Sequence, residues 1–210
     1  MKYLKLFLSA LGAGTCIGIG GLVFLAMDNK FAGAFLFAVG LLTILIFGFN
    51  LYTGMVGYLK ENLQKKNFLY MVDLLVVWLG NYAGTALVAL LARITGLGDK
   101  YLEKCSNMAD AKISEEFYSL IILGFFCGIL MYLAVDTFKK RIEGKDFLPV
   151  VAVFMGVMVF ILAGFEHSIA DMFYFTFSGH FVDSLLPLLC ITLGNSIGGN
   201  FIPLVMPKKQ

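Results

Sequence analysis

Ala163-Gly164-Phe165-Glu166-His167-Ser168-Ile169-Ala170-Asp171-Met172-Phe173 follows a long apolar run that starts at Phe147, and a further apolar segment comes after it. At membrane depth an ionisable pair such as Glu166-His167 is costly unless it faces a cavity or a partner, so it marks a candidate functional site. The glycine just before it, Gly164, predicts an interrupted helix. Broken helices of this kind occur in transporters, where irregular backbone is tolerated because it lines a cavity. The plainer reading is a polar pair that joins two helices.

Composition sets the class. The chain has 210 residues, of which 60% are hydrophobic and 14% charged, and its mean hydropathy is +0.87. Soluble domains carry about a quarter charged residues, so this is an all-α integral membrane protein. No polar stretch is long enough to build a soluble domain, and residues 1–210 read as a single transmembrane domain. The 23 glycines and 21 phenylalanines suit close helix packing and an apolar exterior. Lys and Arg are spread over short loops rather than gathered in one patch, which argues against nucleic acid as a partner. Cys16, Cys105, Cys127 and Cys190 are scattered without metal-ligand spacing and read as packing residues. The N-terminus has the basic start and apolar run of a signal peptide, but the run continues to Met27 without a clear cleavage site, so a retained first span is expected.

A spanning helix takes about 20 apolar residues. Six spans can be drawn: Leu6–Met27, a broken Phe31–Leu59, Phe68–Ala92, Phe117–Val135, a broken Phe147–Ser178, and one from about Ser184 to Met206. Phe49-Asn50-Leu51-Tyr52-Thr53-Gly54 interrupts the second. The polar stretch Thr95–Ser114 is expected outside the bilayer as a short loop or surface helix. Eleven Lys/Arg, including Lys139, Lys140, Arg141, Lys145, Lys208 and Lys209, lie on the side of both termini and five on the other. The positive-inside rule then places both termini in the cytoplasm, with the chain in the inner (plasma) membrane.

An internal repeat is also legible. Gly48-Phe49-Asn50 opens the first break and Gly164-Phe165-Glu166 the second, 116 residues on; Leu79-Gly80-Asn81-x-x-Gly84 recurs as Leu193-Gly194-Asn195-x-x-Gly198 after 114. Each unit (1–94 and 115–207) holds three spans, an odd number, so the second inserts upside down. Inverted repeats whose broken helices meet near the midplane are the architecture of channels and secondary transporters.

The two breaks should face each other across a pore. Thr53 can offer a hydroxyl, and His167 is the buried group that titrates near neutral pH. An anion passing apolar side chains such as Phe37, Leu41 and Phe160 meets a large desolvation cost, and taking a proton at His167 removes most of it. A weak acid fits such a path. His167 and Ser168 are adjacent and point in different directions, which makes a poor nucleophile-base pair and argues against an enzyme. Asp171 lies where it could orient the imidazole or act as a plain helix cap. Asn81 reads as an interhelical hydrogen-bonding residue, and Asn195 either as its counterpart or as a pore-lining group. Lys112, beside Asp110, Glu115 and Glu116, reads as a surface lysine. The alternative to an anion path is an aquaporin-like pore for a neutral small solute.

At these residues the chain resembles the formate/nitrite transporter family. The resemblance rests on Gly164 to Phe173, on Leu51-Tyr52-Thr53-Gly54 and on Gly194-Asn195-x-x-Gly198-Gly199, and covers the whole chain. It implies an aquaporin-like protomer of six helices, assembled as a homopentamer with one pore per protomer and no cofactor. It further implies that His167 is the central pore histidine faced by Thr53, with Glu166 packed away from the pore, and that Lys112 is a vestibule lysine that draws anions. Phe37 and Leu41 match the cytoplasmic-side constriction, and Leu51, Tyr52 and Phe160 the other narrow positions. Two departures stand out: Asn50 replaces a usual glutamate, and Gly128 replaces an asparagine frequent in formate channels.

Overall fold

The computed structural model describes residues 1–140 and 147–206, so Arg141, Lys145, Lys208 and Lys209 of the charge count lie outside the described residues, as does residue 207 of the second repeat. The chain forms α1 (Lys2–Ala26), α2 (Lys30–Phe47), α3 (Tyr52–Met55), a 3-10 turn (Val56–Tyr58), α4 (Leu59–Gln64) and α5 (Leu69–Arg93). After these come α6 (Gly96–Ile113), α7 (Phe117–Lys140), α8 (Leu148–Ala163), α9 (Ser168–Ser178) and α10 (Leu185–Val205). Five of these helices are long and apolar enough to cross a membrane, and the pair α8–α9, bent by 54°, makes the sixth span. The expected six-span architecture with broken second and fifth spans is the one observed.

Both breaks are built the same way. α2 ends at Gly48 (φ 67°) and α8 at Gly164 (φ 77°), left-handed positions that glycine adopts without a Cβ penalty. In each, the residue after the glycine donates back to a helix carbonyl: Phe49 N to Ile44 O and Phe165 N to Phe160 O, both 2.9 Å. Those two bonds are related by the same 116-residue offset as the sequence repeat. The chain then leaves the helix axis for a few residues and restarts.

The long helices pair as α1 with α5 and α7 with α10, and small residues set the spacing. A Cβ on Gly84 would run into the Leu11 carbonyl, and a Cβ on Gly198 into that of Phe125. Gly14 and Gly128 likewise face the backbone carbonyls of Asn81 and Asn195. These pairs too are 114 residues apart, so the repeat seen in sequence is a repeat of backbone-to-backbone contacts. Gly128 therefore has a packing reason: a larger side chain there would push α7 off α10.

The stretch Thr95–Ser114 is a full helix, α6, started by the Thr95 side chain accepting from Leu97 N at 3.3 Å. It docks rather than drifts, since Cys105 and Ala109 are buried against the interior and Cys105 Sγ lies 3.4 Å from the Tyr174 carbonyl of α9. Cations on this side close helix ends: Lys104 Nζ reaches Leu25 O and Met27 O, and Arg93 Nη1 reaches Phe177 O. Basic groups there answer orphan carbonyls and the negative end of the helix dipole.

Gly84→Ala and Gly198→Ala should each cost about 1–3 kcal/mol through overpacking. Thermal unfolding in detergent checks this, and a wild-type melting temperature in both would contradict the close-contact assignment.

Candidate functional site

The site forms where the two breaks meet. His167 is the N-cap of α9: its Nδ1 accepts a hydrogen bond from Ala170 N at 3.1 Å. Its other ring nitrogen, Nε2, lies 2.9 Å from the Thr53 hydroxyl at the start of α3. Because Nδ1 receives an N–H, the neutral ring carries its proton on Nε2, which then donates to Thr53 Oγ1. Thr53 keeps its own hydroxyl proton to offer elsewhere. Protonating Nδ1 as well would cost α9 its cap.

Two asparagines fix these breaks in place. Asn81 Nδ2 donates to Ala10 O (2.8 Å) and Asn50 O (3.0 Å), and its Oδ1 accepts from Tyr52 N at 2.8 Å. Asn195 Nδ2 donates to Gly124 O and Glu166 O, both 2.8 Å, and its Oδ1 accepts from Ser168 N at 2.9 Å. Each amide ties a break to the neighbouring long helix, and every partner of one maps onto a partner of the other. Both side chains are fully buried. Asn195 therefore braces the fifth-span break with its amide, as Asn81 braces the second.

Aromatic and aliphatic groups flank the His167–Thr53 pair. Phe160 stacks on the imidazole, ring centroids 5.4 Å apart, and Phe37 meets Phe160 edge-on at 6.2 Å. A cavity of about 160 Å³ lies on this side, lined by Phe37, Phe160, His167, Lys30, Lys112 and Asp171 among others. On the far side a cavity of about 300 Å³ is lined by Leu41, Leu51, Gly54, Asn50 and Lys139 among others. Phe37, expected with Leu41 at one constriction, lines the first cavity, and Leu41 lines the second. They are about one helical turn apart on α2. Tyr52, expected at a narrow position, instead sends its hydroxyl to Ser196 Oγ (2.9 Å) in a groove between α5 and α10, where the buried phenol finds a partner.

Lys112 is not a free surface lysine. α6 carries it onto the fifth-span break, where Nζ contacts Glu166 Oε2 and lies 3.1 Å from Asp171 Oδ1. Burial alone would draw its ammonium down, but Asp171 and Glu166 outweigh that and hold it above the ordinary lysine value. Asp171 is thereby occupied with Lys112, and the helix-capping Ala170 N–H, rather than a carboxylate, orients the His167 ring. Lys30 Nζ, at the rim of the same cavity, lies 3.3 Å from Leu162 O. Asn50 donates to Ser9 Oγ through Nδ2 at 2.9 Å. Nothing local in the sequence announced Lys30 and Lys139 as cavity residues, because they reach those positions through helix packing.

Residues 1–207 match the formate/nitrite transporter family profile. The chain belongs to that family. It is 30% identical to a formate channel of Bacillus thuringiensis, over 83% of this chain and 70% of that one. Its fold superposes on an ion channel of the same family with TM-score 0.84 and 26% identity, over 95% of this chain and 87% of the other. A pentameric formate channel with formate bound is similar at TM-score 0.77 and 25% identity, over 97% and 95%. Relatives in this family are channels and transporters rather than enzymes, and this chain is an integral membrane protein of that kind.

Asn195→Ala leaves the Ser168 N–H and two carbonyls without their partner in an apolar setting, at a cost of about 1–3 kcal/mol for each group that stays unsatisfied. Asn81→Ala should do the same at the other break. Calorimetric unfolding in detergent reads both, and a variant as stable as wild type would refute the bracing role.

Proposed function

We propose that the protein is a channel for a small monovalent anion of the formate, nitrite or hydrosulfide class, which crosses the apolar seal as its conjugate acid with proton coupling. The observation that carries this reading is the His167 Nε2–Thr53 Oγ1 contact at 2.9 Å, with His167 in the wall of one cavity beside Phe37 and Phe160, and Leu51 and Gly54, on either side of Thr53 in the chain, in the wall of another beside Leu41. A charge entering that seal loses its hydration to side chains that return no hydrogen bond. A neutral acid loses far less, and the imidazole N–H with the threonine hydroxyl gives it one polar waypoint in the middle.

In this reading His167 acts as a hydrogen-bond donor and Thr53 relays a second one, while Glu166 lines the same cavity in contact with Lys112. Lys30 and Lys112 bring positive charge to one mouth and Lys139 to the other, which raises the local anion concentration. The protein assembles as a homopentamer with one path per protomer, and both termini face the cytoplasm of the inner (plasma) membrane. The named relatives support the substrate class and the pentamer; the count of basic residues supports the orientation.

His167→Asn tests the reading, because asparagine also caps helices and preserves the start of α9. Uptake of formate, nitrite and hydrosulfide into proteoliposomes is measured with and without an inward proton gradient. Wild-type uptake should rise with the gradient, and the variant should fall about tenfold or more, because the shorter amide does not extend to the position from which Nε2 meets Thr53. Wild-type uptake that ignores the gradient would point to an open anion path, and no flux of any of the three to a neutral-solute pore.

A further inference from the structure

Lys112 Nζ meets two carboxyl groups, Glu166 and Asp171, whose side chains are 9% and 2% exposed. Asp171 Oδ1 lies 3.1 Å from that nitrogen, and among the described residues Asp171 Oδ2 is a buried atom without a hydrogen-bond partner. One ammonium cannot neutralise two enclosed carboxylates. If both are ionised, one of the two stays uncompensated by the ammonium that contacts them, in the wall of a cavity that has to admit anions.

We propose that Glu166 and Asp171 share one proton across Lys112, and that this carboxyl pair, rather than His167, protonates the incoming anion; this rests on the weak-acid reading above. His167 cannot readily do so. Its Nδ1 is held by Ala170 N–H, so giving up the Nε2 proton would leave an imidazolate. The pair has the required access, since Glu166 and Asp171 line the same cavity as His167 and Phe160.

The surrounding charges agree with this assignment. Lys30 of α2, Lys112 of α6 and Tyr174 of α9 face the pair in that cavity, with Cys127 of α7 and Cys105 of α6 behind it. With both carboxyls ionised, the two lysines are only balanced. With one proton shared, the wall is net positive, and the anion is drawn to the group that supplies its proton. In the transfer the carboxyl O–H bond breaks and a new bond to hydrogen forms on the anion. Both carboxylates are left on Lys112, and a proton from vestibule water restores the pair. Efflux runs the same steps backwards.

The test uses the purified full chain at neutral pH. Infrared spectra of the wild type should contain the C=O stretch of a protonated carboxyl group, and Asp171→Asn should lose it. In proteoliposomes the same variant should keep its thermal stability but lose about tenfold or more of its gradient-driven formate uptake, with a flattened pH profile. A wild-type spectrum without the band overturns the proposal, as does variant uptake that still follows the gradient like wild type. Wild-type liposomes that take up none of formate, nitrite and hydrosulfide under any gradient reject the weak-acid reading instead, and the infrared band then decides the shared proton by itself.

Discussion

A helix broken inside a membrane leaves backbone N–H and C=O groups with no water to bind, and each orphan must find a partner within the protein. The rest of this structure depends on how that requirement is met. Asn81 and Asn195 each take two carbonyls and one N–H, and in doing so lock a break to a long helix. The glycine contacts of α1 with α5 and of α7 with α10 bring those helices close enough for an amide to reach. Without the close approach the braces cannot form, and without the braces the breaks would collapse back into helix or let in lipid.

The same scaffold occurs twice in the chain, and the two copies differ at the breaks. At the position of His167 the first repeat has Leu51, and at the position of Glu166 it has Asn50. The two residues face each other's surroundings across the seal: one ring with a donor nitrogen, one plain aliphatic chain. A symmetric pair of histidines would offer two polar stations among apolar side chains, which would weaken their barrier to a bare ion. One histidine backed by one threonine gives a single station.

α6 breaks the symmetry again, because it belongs to neither set of three spans. Its buried face docks on α9, and its last turn delivers Lys112 to the Glu166–Asp171 pair. A lysine carried by a connecting helix so pairs with the carboxyl groups of a break made by another part of the chain. Among the described residues the opposite cavity has no counterpart of α6, and a basic group there, Lys139, comes from the end of α7.

The sequence by itself determined the membrane class, the six spans, both breaks and the inverted repeat, because apolar run length and a recurring Gly and Asn spacing are local properties of the chain. It also singled out His167 and Thr53, since a buried imidazole and a hydroxyl are conspicuous among aliphatic residues. The tertiary structure alone decided the pairings. Phe37 faces a different cavity from Leu41, Tyr52 turns to Ser196, Asn195 braces a backbone, and Lys112 binds Asp171 as well as Glu166. Each of these depends on which atoms from distant segments fall within about 3 Å of one another, a distance set by helix crossings and by the docking of α6. Residue identity limits what a side chain can bond; only the packed helices select the partner.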